Sequence, residues 1–120
     1  LHALREKNLN YQMLDAAQLV KHAYGLRTAL HREARDASRH RQGWLVYLYA
    51  EPCAWPDGRS IDLGRITQHR AEMADFAARV AGDEITFHAI SWRDLLKTWE
   101  LAGLPMLTTH ARALSKSFAV

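Results

Sequence analysis

The sequence has little of what small secreted or membrane-bound chains depend on. One cysteine, Cys53, stands in 120 residues, which excludes an internal disulfide framework and suits a reducing compartment. The longest apolar stretch, around Leu45 to Ala50, is far too short to cross a bilayer. No basic-then-apolar leader opens the chain, so a cytoplasmic location without a membrane partner is expected. The six glycines are scattered and form neither a Rossmann nor a P-loop pattern, and no Gly-x-Ser-x-Gly elbow occurs. Seven histidines invite a metal search, yet Cys-x-x-Cys, His-x-x-x-His and His-Glu-x-x-His are all missing. From its own residues the chain is expected to hold no metal and no cofactor.

What is present describes a folded α/β segment. Hydrophobic residues make up 48% and charged residues 24%, a balance that packs a core rather than staying disordered. The length suits one domain over residues 1–120, or the C-terminal part of a larger one. The chain opens at Leu1 rather than at Met, which reads as a piece trimmed or cut from a longer protein. A net charge of +3 tolerates a polyanionic partner without establishing one. The charge does cluster, at Arg27, His31, Arg32, Arg35, Arg39, His40 and Arg41. Glu33 and Asp36 interrupt that run, so a solvated helix end accounts for it as well.

Residues Leu9 to Leu30 read as a helix, with Met13, Ala17, Val20 and Tyr24 on one stripe. Leu19, Ala23, Leu26 and Leu30 widen that stripe, so burial on several sides is expected. Trp44 to Ala50 lacks strict alternation and reads as a central strand covered on both faces. A loop with Pro52, Pro56 and Asp57-Gly58 leads to a second helix, capped by Ser60 or Asp62 and ended near Ala81 by Gly82. Its buried stripe is Ile66, Met73, Phe76, Ala77 and Val80, with Gln68, Glu72, Asp75 and Arg79 on the opposite face. Glu84 to Ile90 alternates as a second strand. Ser91 and Asp94 open a third helix that turns Trp92, Leu95, Leu96 and Trp99 inward, and Pro105 starts a fourth. The order helix-strand-helix-strand-helix-helix implies a parallel pair with a right-handed crossover. Two strands are too few for a stable sheet, so a missing segment or a partner chain is expected to complete it, and self-association with it.

Few side chains carry chemistry. His69 and His110 lie at the margins of buried stripes and read as packed histidines. Cys53, between prolines on a loop, has no base beside it to activate its thiol. Glu72 and Asp75 read as solubilising carboxylates. The first helix is different: Asp15, Gln18, His22 and Gly25 project to one side, with Lys21 at the margin. That strip is either the solvent-facing part of a buried helix or the border of a cleft where Gln18, Lys21 and His22 meet phosphate or a base edge.

The stretch Asn10-Tyr11-Gln12-Met13-Leu14-Asp15-Ala16-Ala17-Gln18-Leu19-Val20-Lys21-His22-Ala23-Tyr24-Gly25-Leu26 resembles the helix after the catalytic hairpin in one group of PD-(D/E)XK, restriction-endonuclease-like proteins. The likeness continues through Leu45-Val46-Tyr47-Leu48-Tyr49, Glu51-Pro52, His69 to Ala78, and Phe87-His88-Ala89-Ile90-Ser91-Trp92-Arg93-Asp94-Leu95. It implies a partial restriction-endonuclease-like sandwich, the scaffold and substrate-side portion of a nuclease acting on phosphodiester bonds. The family's metal-binding Asp and Glu-x-Lys have no counterpart here, so the resemblance carries over no catalytic residue. Mg²⁺ is implied only for a complete nuclease. Gln18, Lys21, His22 and Arg27 are the candidate nucleic-acid-binding residues. The other reading open at this point is a non-catalytic α/β binding or assembly module that completes its sheet as a homo-oligomer.

Overall fold

The computed structural model describes residues 11–33, 42–52 and 54–118. Cys53, the basic residues Arg35, Arg39, His40 and Arg41, and the first residues of the expected N-terminal helix lie outside them. The described elements run α1 (Ala16–Glu33), β1 (Gly43–Tyr49), α2 (Leu63–Val80), β2 (Ile85–Ser91), α3 (Trp92–Leu101) and α4 (Pro105–Phe118). β1 and β2 form a two-stranded parallel sheet, so the chain is mixed α/β in the order its periodicities dictate. It divides into two compact units, Leu1–Val46 with Gly64–His88 and Tyr47–Leu63 with Ala89–Val120.

In the first unit α1 and α2 cover one side of the sheet. Ala23 of α1, Phe76 and Val80 of α2, and Leu45, Ile85 and Phe87 of the strands enclose a void of only about 10 Å³. Phe76, the largest fully buried side chain among the described residues, meets Phe87 edge-on with ring centroids 4.8 Å apart, an arrangement that suits the ring quadrupoles. Gly43 permits the close approach of α1. A Cβ there would lie 2.7 Å from the Ile85 Cδ1 and 3.0 Å from methyls of Leu26 and Leu30.

Three expectations need correction here. The helix does not run through residues 11–15 but starts at Ala16, because Asp15 is its N-cap: the Gln18 N–H donates to Asp15 Oδ1 at 3.0 Å. Nor is α1 buried on several sides. Leu19 and Ala23 form its buried stripe, while Ala17 and Ala29 are exposed. Finally, β1 is not covered on both faces. Trp44 and Val46, on the side away from the helices, are 60% and 55% exposed.

In the second unit the loop closes as a tight hairpin. The Gly58 N–H donates to the Trp55 carbonyl at 2.9 Å, and Gly58 takes φ +83°, a conformation a Cβ would disfavour. Ser91 caps α3: its hydroxyl accepts from the Asp94 N–H at 3.1 Å and donates to Asp94 Oδ2 at 2.7 Å. The shorter Asp thus answers the cap through the hydroxyl. α3 and α4 pack as a hairpin around Leu96 and Ala111. Trp92, expected inside, is exposed.

Candidate functional site

Two surfaces of the first unit bear on function, and a buried carboxylate organises one of them. Glu72, one turn before Phe76 on α2, lies under the segment that leads into α1. Its Oε1 accepts the Gln12 N–H at 2.9 Å, and its Oε2 accepts the N–H groups of Met13 and Leu14, each at 2.8 Å. The Gln68 amide adds a bond to Oε1 at 3.1 Å. Three successive amides ahead of a helix have no intrahelical acceptor, and here one carboxylate serves them all. Glu72 is therefore no solubilising residue; it is buried. Burial alone would raise its pKa, but the three backbone donors and Gln68 outweigh burial and hold it below the ordinary 4.5.

Asp75 continues the anchor. It takes a bond from Arg79 at 2.7 Å and from the Tyr11 hydroxyl at 2.5 Å, and these two lower its pKa. Burial, with the Asp75 bond second, pushes Tyr11 up from 10.0 to about 12. Both carboxylates were expected on a solvent face. They do share one face of α2; residues 12–14 cover Glu72, whereas Asp75 keeps a side chain 45% exposed and meets only Tyr11 of that segment.

These shifts set a pH dependence. Below about 4.5 the unfolded chain binds protons that the folded Glu72, and at lower pH Asp75, refuse, so stability falls as acid is added. Between about 10 and 12 the unfolded chain gives up the Tyr11 proton first, so stability falls again as pH rises. Urea midpoints followed against pH are expected to decline in both windows, and Tyr11→Phe is expected to flatten the alkaline one. Tyr47, also raised by burial, keeps part of that slope.

Anchored this way, α1 exposes Gln18, Lys21 and His22 together on its outer side. Arg27 is separate from them. It pairs with Glu84 at 3.1 Å, and His31 reaches the same carboxylate at 2.7 Å. The basic end of α1 thus spends two of its members on Glu84, whose pKa His31 lowers first and Arg27 after it. Among the described residues no three His, Cys, Asp or Glu side chains converge as a metal site.

The second surface is the sheet side opposite α1 and α2. Trp44 and Val46 of β1 alternate outward with Thr86 and His88 of β2, all four exposed. The Trp44 and His88 rings meet edge-on at 6.3 Å. Aromatic, β-branched and uncharged apart from His88, this patch has the composition of a covered sheet face. The helical wheel and the strand period allot these residues to a face; neither says whether anything lies over it.

The described residues form a mixed α/β chain. Comparison with known proteins finds no family model, no curated protein and no solved structure that matches it. No helix among the described residues is long and apolar enough to cross a membrane.

Proposed function

We propose that this chain is a non-catalytic α/β binding and assembly module whose bare sheet face is covered by a second copy. The observation that carries this reading is the exposure of Trp44 and Val46 on the side of the sheet that α1 and α2 leave open. A sheet face of this composition gains from burial at roughly 25 cal/mol per Å² of apolar surface. Trp44, Val46 and Thr86 carry no charge, so that part of the face meets its own copy without like-charge repulsion. Exchanging Trp44 and Val46 together for serine is expected to weaken self-association by about tenfold or more while the circular dichroism stays unchanged. Association at wild-type strength in that variant would retire the reading.

The exposed group Gln18, Lys21 and His22 favours a second reading, the substrate-side part of a PD-(D/E)XK-like nuclease whose catalytic carboxylates and Mg²⁺ lie outside this chain. Under it, Lys21→Ala weakens oligonucleotide binding and makes its salt dependence shallower by about one contact. Gln18→Ala weakens binding without changing that slope. Oligonucleotide titrations at several salt concentrations, in which wild type and both variants behave alike, would remove it.

A further inference from the structure

We infer that residues 11–14 are a strap which a proton at Glu72 releases from α2, while α1 and the sheet stay folded. The strap is bonded to α2 through side chains of one helix face. The N–H groups of Gln12, Met13 and Leu14 donate to the Glu72 carboxylate, the Gln68 amide donates to the Gln12 side chain at 3.2 Å, and the Tyr11 hydroxyl donates to Asp75. Each oxygen of Glu72 accepts two bonds: Oε1 from Gln12 and Gln68, Oε2 from Met13 and Leu14. A proton on either oxygen turns an O–H donor toward N–H donors, so a single protonation breaks the anchor at more than one point.

The rest of the unit does not hang on the strap. Asp15 caps α1 by itself, its side chain accepting the Gln18 N–H at 3.0 Å and its carbonyl the Leu19 N–H at 3.2 Å. No strap residue lines the core void between Ala23, Leu45, Phe76, Val80, Ile85 and Phe87. Within the strap Leu14 is buried, Gln12 is exposed, and Tyr11 and Met13 are half-buried. Opening at Asp15 therefore gives up little more than the burial of one leucine, and segments with few buried apolar contacts open at less cost than global unfolding.

The charged and titratable groups nearby are Asp75 and Arg79 on α2, bonded to each other at 2.7 Å, His69 three residues before Glu72, and Tyr11 and Asp15 at the two ends of the strap. The donors on Glu72 itself are neutral. Burial raises the Glu72 pKa, and the three amides with Gln68 lower it by more, to below 4.5. The closed strap thus refuses a proton that the open strap accepts. It holds above about 4.5, and below that its opening constant rises by up to about tenfold per pH unit. Asp75, lowered by Arg79 and then by Tyr11, acts in the same direction at lower pH.

Amide spectra of the nitrogen-15-labelled chain, taken from about pH 6 down to about pH 3, test this. The Met13 and Leu14 signals are expected to leave their folded positions at a pH where those of Ile85 and Phe87 still hold theirs. Four signals that vanish in one step would make strap and core a single unit and overturn the inference. Glu72→Gln is expected to carry the Met13 and Leu14 signals to their acid positions already at about pH 6, with Ile85 and Phe87 unmoved. Met13 and Leu14 signals that keep their wild-type positions in that variant overturn it too, because a neutral side chain then holds the strap. Should the variant lose the core signals as well, the acid series of the wild type decides alone.

Discussion

Glu72→Ala is expected to lower stability by about 3 kcal/mol, although the residue removed is charged and takes no part in the apolar core. Its carboxylate accepts the N–H groups of Gln12, Met13 and Leu14, and each buried donor left without an acceptor costs roughly 1–3 kcal/mol. Two of the three bonds are only part-buried, so water recovers some of that loss. Glutamine does not rescue the site. Oε1 serves Gln12 and Gln68 while Oε2 serves Met13 and Leu14, so either orientation of the amide turns an NH₂ group toward two donors. Urea denaturation of both variants measures this. Equal stability of the glutamine variant and wild type would show that shape, not charge, holds the segment. Amide exchange at Met13 and Leu14 is expected to accelerate before the rest of the unit responds.

Phe76→Ala is expected to cost about 4 kcal/mol. The ring is 1% exposed, it faces Phe87 edge-on, and the void beside it is too small for the neighbours to close over the lost volume. Phe76→Leu keeps most of the volume and is expected to lose about half as much. Denaturation midpoints at equal slopes measure both, and a loss below about 1 kcal/mol for the alanine variant would contradict the assigned core. Trp44→Ser serves as the contrast. At 60% exposure it is expected to shift monomer stability by no more than about 0.5 kcal/mol.

How far the fold was legible depends on how local its causes are. The order of elements follows from period and punctuation. Gly82 and Gly103 stop helices with φ +81° and +68°, and Ser91 with Asp94 announces α3. The start of α1 was legible too, though a continuous apolar pattern hid it: Asp15 followed three residues later by Gln18 is a helix N-terminus signature. The role of Glu72 was not legible. A helical wheel assigns Glu72 to a polar face, but the segment covering it lies 58 to 60 residues earlier in the chain, and one carboxylate meeting three amides leaves no spacing to read. The bare sheet face was missed for a related reason. Trp44-Leu45-Val46 looks the same whether a second layer covers it or not, because composition reports what a surface suits rather than what lies on it. Of the four candidate nucleic-acid residues, Gln18, Lys21 and His22 do share an exposed side of α1, whereas Arg27 is engaged by Glu84.

The central claim, that the bare sheet face meets another copy, is tested most directly by dilution of an isotopically labelled chain in the NMR magnet. The four tryptophans give separate indole signals. As concentration rises the Trp44 indole and the Val46 methyls are expected to shift together along one binding curve. The exposed Trp55 of the hairpin loop is expected to stay where it is. Trp44 and Val46 signals that hold still across the whole series, at a mass of 13.7 kDa, would contradict the account.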